Sequence, residues 1–564
     1  MPTVHAQQST RRLWRSVAFI VFVLPLCLLL LLALAVTLYS RFYLKEFIAD
    51  RLTRTVIAAS DSLYTLQASR FTFDIDGDTI QAQDVSLVPI RSEKHPNVAY
   101  HDIYVESITI LRPHWREILT QRLFRIEQIV ITAPYFVYRS YESREQRDSI
   151  TAVLAQDLPE PTLLDKAIDA FLPRFQIDRI EISDAEIGYE GVALEEQNTL
   201  TLSLQADTIR LNLKAPSFAE AFSLEDLRLL ITPYRNPIPH SLYDVRFAQM
   251  RLSTRDSSLL IDSLWLAPRV SDAEFFKRSK TRTDRFKLFL PHLACHGIDY
   301  RSLIFGTGAL ARHLHIEGLS LDVLTDKRYP LPKQTSTPKM PNDAFRSLPI
   351  RIGIDTLTVR NGRISYRVQH PADKPCALSF ERIAATATNL TNDSLKMTPR
   401  TPALLDASAW LLGTGAIYAH LEMPLLSETF DMRLRGHLGK FDVTALNAFT
   451  ASEARVSFSS GIVEKVWFNL SVKNDYASGT VHALYRNLAL NILPQNRREK
   501  AGFMEGVLSF IANTFVIYRD NINRKDEPAR TGKISLKRKP KQPFFDFLWQ
   551  SLWQGLQGIM KAVK

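Results

Sequence analysis

The chain has 564 residues and carries 70 Lys and Arg against 59 Asp and Glu, a formal net charge of +11. That length leaves room for several domains with ample surface to bury. The positive excess is concentrated beside an N-terminal apolar run and in residues 533–541. Anionic lipid headgroups suit that placement better than a nucleic-acid groove does, so no nucleic acid is expected as a partner.

Residues 1–16 form a short tail with Arg11, Arg12 and Arg15. Residues 17–39 are uncharged and apolar, and about 20 residues suffice to cross a bilayer core. No small-x-small cleavage site follows; Tyr39, Arg41 and Phe42 come instead, which predicts an uncleaved transmembrane anchor rather than a signal peptide. A short tail before a first span usually stays cytoplasmic, which would put the body outside the cytoplasm. Residues 40–60 set Phe42, Phe47, Ile48, Leu52 and Ile57 among charges at helical spacing, an amphipathic helix at the membrane surface.

Strand signals take over in residues 61–326. Residues 65–73 and 79–89 predict a hairpin through Asp76-Gly77. A phrase then recurs with constant spacing: an apolar residue, an acid, apolar residues at every second position, a turn, and a second strand ending in Tyr. The copies begin at Ile126, Ile177 and Ile354 and end at Tyr138, Tyr189 and Tyr366. Shorter versions start at Val105, Leu224, Ile261 and Ile316. A period of two gives each strand one apolar and one polar face. The apolar face is expected to carry Ile129 and Ile131 in the first copy, Ile180 and Ile182 in the second, and Leu357 and Val359 in the third. Repetition over hundreds of residues signals a long stacked β architecture rather than an enzyme built around one pocket.

Breaks in the pattern predict a helical insertion near residues 140–171 and an exposed Pro-rich linker at 327–349. A second β part follows at 350–498, with Asn361-Gly362 marking another hairpin, and then a short helix, a strand and a basic segment at 499–542. Residues 543–564 close the chain as an amphipathic aromatic helix. Phe544, Phe545, Trp549, Leu552, Trp553 and Leu556 make it a candidate for a membrane interface.

Motifs of chemical interest favour bland accounts. Gly306-x-Gly308 and Gly413-Thr414-Gly415 lie between strand-like segments and are expected to be turns, not dinucleotide loops. His292 and His296 would share a strand face that Cys295 leaves, so no metal site is expected there. Asp74, Asp76 and Asp78 lack the glycine order and the Glu of a calcium loop. No nucleophile, base and orienter come together by spacing; no catalytic residue and no cofactor are expected, and the chain is taken as non-enzymatic. Cys27 falls in the anchor, leaving Cys295 and Cys376 with their pairing open.

The anchor followed by an amphipathic helix and residues 66–89, the phrases from Ile126, Ile177 and Ile354, and residues 436–447 (GHLGKFDVTALN) with 461–472 and 479–494 together resemble the AsmA-like family of Gram-negative envelope proteins, the group that includes TamB. The resemblance implies a mainly β protein, a long antiparallel sheet curled into an open groove with an apolar interior. It implies an inner-membrane anchor, a periplasmic body and a role in phospholipid transport or outer-membrane homeostasis. Phospholipid acyl chains would be the partners, with the C-terminal helix meeting the outer membrane or an envelope protein. The alternative is a non-enzymatic assembly factor that binds outer-membrane proteins through its sheet edges.

Overall fold

The computed structural model describes residues 64–74, 78–89, 100–114, 123–140, 174–191, 198–212, 222–238, 241–304, 307–331, 338–370, 375–453, 455–493, 517–524, 528–540 and 542–561. The expected anchor (17–39), the expected amphipathic helix (40–60), nearly all of the expected insertion near 140–171 and the helix expected near 499–513 lie outside them. No helix among the described residues is long and apolar enough to cross a membrane. The chain is mainly β and divides into two compact units after Leu229, within the strand Phe222–Thr232.

In the first unit, β1 (Tyr64–Gln67) and β2 (Arg70–Asp74) lie end to end against β3 (Thr79–Pro89). Next come β4 (Tyr100–Pro113), β5 (Leu123–Ser140), β6 (Arg174–Gly191) and β7 (Asn198–Asn212), each paired with its predecessor. The β2–β3 pairing, with Asp74 opposite Thr79, agrees with the expected hairpin. Among the described residues of this unit all pairings are antiparallel except β5–β6, which is parallel. Antiparallel neighbours need only a tight turn, whereas a parallel pair needs a long crossover, here residues 141–173. The first two copies of the repeated phrase are thereby direct neighbours in exact step: Ile126 faces Ile177, Ile129 faces Ile180, Ile131 faces Ile182 and Tyr138 faces Tyr189.

The phrase is not strand, turn, strand. β5 and β6 each run 18 residues without reversing, and the third copy is one 19-residue strand. The expected turn is a local irregularity: Ala133, Asp184 and Asn361, equally spaced from Ile126, Ile177 and Ile354, have φ of 43°, 53° and 52°. Around Asp184 and Asn361 the register with the next strand shifts, the mark of a β-bulge. Asn361-Gly362 is therefore a bulge and not a hairpin. A left-handed residue is what either needs, so the dipeptide alone does not distinguish them.

The second unit begins with β8, the strand Phe222–Thr232 that crosses the division, and continues through β9 (Tyr234–Pro237), β10 (Tyr243–Phe247) and β11 (Gln249–Ser253) to β12 (Ser258–Pro268). Helix α1 (Asp272–Ser279) leads to β13 (Asp284–His296), and α2 (Tyr300–Ile304) to β14 (Gly308–Glu317) and β15 (Ser320–Asp326). After α3 (Pro341–Arg346) come β16 (Arg351–Gln369), β17 (Cys376–Thr391), β18 (Ala403–Leu411), β19 (Gly415–Met423) and β20 (Met432–Leu438). The chain ends through β21 (Phe441–Asp442), α4 (Asn447–Glu453), β22 (Val456–Lys473), β23 (Tyr476–Ile492), β24 (Thr531–Lys537) and α5 (Phe544–Met560). From β12 to β24 the sheet is a meander with one departure. β14 and β15 act as two halves of a strand broken at Gly318 (φ 73°), antiparallel to β13 and parallel to β16. Gly413 (φ 72°) sits in the tight β18–β19 hairpin, as its sequence suggests, while Gly308 opens a strand after α2 rather than a hairpin.

The second half of the expected linker is folded. Met340 and Asn342, at 1% and 2% exposure, anchor α3, and the Asn342 amide donates to the Ser427 carbonyl at 2.9 Å. Pro341 and the polar residues around it signal a break, but Pro also serves the first turn of a helix, which is its place here.

Candidate functional site, an apolar sheet face

Residues opposite each other in register share a face, so pairings carry a side-chain row across a sheet. In the first unit Ile80, Ile110, Ile129, Ile180 and Ala206 form one row across β3 to β7. Ala82, Ile108, Ile131, Ile182 and Leu204 form the next. Between them on the opposite face runs Gln81, Thr109, Val130, Glu181 and Gln205. These two rows are thus apolar and the row between them on the opposite face is mostly polar. Ile129, Ile131, Ile180 and Ile182 stand side by side and half-buried, as their alternation predicts.

The same construction is longer in the second unit. One row passes through Leu252, Leu259, Cys295, Leu314, Leu357, Ala387, Leu405, Leu421, Leu434, Leu470, Gly479 and Ile534. Its neighbour passes through Met250, Ile261, Leu293, Ile316, Val359, Ala385, Ala407, Ala419, Gly436, Phe468, Val481 and Gly532. Leu357 and Val359 therefore lie in the two apolar rows that span this sheet. The interleaved row on the other face includes Thr358, Thr386, Asp406, His420, Arg435 and Asn469.

The acid of each phrase falls on the apolar face, two residues before the first Ile or Leu, where it meets a base. Glu127 pairs with Arg112, Asp178 with Arg125 at 2.8 Å, and Asp355 with Lys396 at 3.4 Å. Burial opposes ionisation of Asp178, but hydrogen bonds from Arg125 and Gln176 outweigh it and hold the carboxyl below its ordinary range. Each apolar stretch is thereby bordered by a fixed, charged pair.

Burial changes along the strands of the second unit. Leu357 and Val359 are half-buried, whereas Leu434, Leu470, Val481 and Ile534 are 7%, 0%, 1% and 3% exposed. The cover at that end is α5. Phe547, Ser551, Gly555 and Ile559, spaced four apart, form its buried side, and a Cβ on Gly555 would meet Val481 at 2.5 Å and Ile534 at 3.2 Å. Gln554 accepts from the Ser535 N–H at 2.8 Å and donates to its carbonyl at 3.1 Å. Those backbone groups belong to β24, which among the described residues pairs on one side only, so Gln554 shields part of an open edge.

Five of the six candidates for a membrane interface pack on the body. Phe544, Leu552 and Leu556 pack on the main core, and Trp549 and Trp553, stacked at 6.1 Å, pack around Val456. Phe545 alone of the six is mostly exposed, at 74%. An amphipathic helix satisfies the same physics on a bilayer or on its own sheet. The signal for the sheet was the small pair Ser551 and Gly555 between Phe547 and Ile559, which permits close approach to a backbone.

His292 is bonded to Asp262 at 3.0 Å, while Cys295 lies in the apolar row, so the two point to opposite faces as expected. Cys295 and Cys376 are both free thiols. Comparison with protein-family models and with curated proteins found no match for this chain.

Proposed function

We propose that this chain is an AsmA-like, inner-membrane-anchored protein with a periplasmic body, which binds lipid acyl chains in an apolar β-groove and contributes to phospholipid transport between envelope membranes or to outer-membrane homeostasis. The observation that carries this reading is the pair of apolar rows across the strands of each unit, backed by a mostly polar row. Exposing a lipid tail to water costs about 0.8 kcal/mol per methylene, so a chain leaving a bilayer needs continuous apolar surface rather than one pocket. Aligned rows supply such a surface without a headgroup-specific site. The bordering pairs at Glu127, Asp178 and Asp355 suit a headgroup that stays in water. Each bulge bends its own strand and adds twist, which favours a trough over a flat sheet. Phospholipid in an organic extract of the purified body is the direct test of the function.

The location is tested separately. Protease added to spheroplasts should digest the chain beyond Arg41, and intact cells should protect it. Protection in spheroplasts would put the body in the cytoplasm and remove the envelope reading.

A further inference from the structure

Away from the apolar rows, four chemically active side chains meet inside the second unit. Lys327 follows β15, His370 follows β16, Cys376 opens β17 and Glu453 ends α4. His370, Cys376 and Glu453 are 4%, 4% and 6% exposed, and one ligand atom from each lies within 4.8 Å of the others. His370 Nε2 is 2.6 Å from Glu453 Oε1, and the Lys327 ammonium lies 2.8 Å from the same oxygen. His370 Nδ1 is buried without a hydrogen-bond partner. A buried polar atom is costly when nothing satisfies it.

We infer that His370, Cys376 and Glu453 form a binding site for a zinc ion. The donor set is one nitrogen, one sulfur and one oxygen, the mixture that zinc accepts and that harder cations such as magnesium refuse. A tetrahedral centre holds its donors roughly 3.5 Å apart, so small side-chain movements close the site. Charge also balances: one thiolate and one carboxylate neutralise the dication, which suits a position cut off from water. Lys327 supplies the positive charge on Glu453 without the metal, and its side chain is 11% exposed, at the rim. Zinc would displace that ammonium towards solvent. Burial pushes the Cys376 thiol up, and a thiol must release its proton to become a ligand. For Glu453 burial opposes ionisation, but the His370 hydrogen bond and Lys327 outweigh it, leaving the carboxylate ready to bind. The bound ion would clamp the end of α4 to the β16–β17 connection.

The full chain, loaded with zinc and desalted, should retain one zinc per chain by elemental analysis. Cobalt in its place should give a thiolate-to-metal charge-transfer band that Cys376→Ser abolishes. Glu453→Gln should weaken zinc binding on the order of tenfold or more, whereas Lys327→Met, which removes the competing cation, should tighten it. A purely structural lysine would not produce that gain. Should the ligand variants fail to fold, a Cys27→Ser, Cys295→Ser chain keeps Cys376 as its sole thiol, and zinc should slow its alkylation by iodoacetamide. No retained zinc, equal retention by folded Cys376→Ser, or alkylation indifferent to zinc would overturn the site.

Discussion

Replacing Ile182 and Val359 together with aspartate is expected to strip lipid from a protein that stays folded. Each residue lies mid-row, with apolar neighbours on both sides: Ile131 and Leu204 beside Ile182, Ile316 and Ala385 beside Val359. A carboxylate there would have to stand among acyl methylenes without a partner, a cost of several kcal/mol. Both positions are half-buried, so without lipid the new carboxylates can reach water and the loss of stability should be about 1–3 kcal/mol. The matched control, Val130→Asp with Thr358→Asp, puts the same charges on the opposite face and should retain lipid. Undiminished lipid in the folded first variant, measured by mass spectrometry against this control, would sink the groove.

The second large effect concerns the closed end of the sheet. Gly555→Leu should lower the melting temperature by several degrees and expose the apolar rows at β23 and β24 to a hydrophobic dye. Glycine in a helix normally costs about 1 kcal/mol relative to alanine, so intrinsic propensity alone would make the change stabilising. Here Val481 and Ile534 already occupy the space, and overpacking should reverse the sign, for a net loss of about 2 kcal/mol or more. Gly558 provides the contrast. It is exposed, and a Cβ would meet the Gly532 Cα at an ordinary 3.5 Å, so Gly558→Ala should hold or raise stability. Equal melting temperatures for Gly555→Leu and the native chain would show that α5 is not seated on the rows.

The alternation around Ile180 and Ile182, or Leu357 and Val359, was legible because a period of two has one physical cause, the pleat. The same residues did not reveal who their neighbours are. That Ile129 lies beside Ile180 in a parallel pair depends on a crossover, and alternation is identical in parallel and antiparallel strands. Bulges at Asp184 and Asn361 looked like turns because both use left-handed backbone, and only pairing on either side separates them. The helix from Phe544 was legible as amphipathic, but its partner was not, since bilayer and sheet reward the same stripe. His370, Cys376 and Glu453 come together only through the β16–β17 connection and α4, so no local spacing announces them.

The apolar rows are proposed to hold acyl chains. The body expressed without residues 1–60, purified without added lipid and extracted into organic solvent, measures this most directly. Mass spectrometry should find phospholipid at one or more molecules per chain, of mixed headgroup, with less in the Ile182→Asp, Val359→Asp protein. A folded body that emerges free of lipid, and stays so after incubation with phospholipid vesicles, would contradict the account.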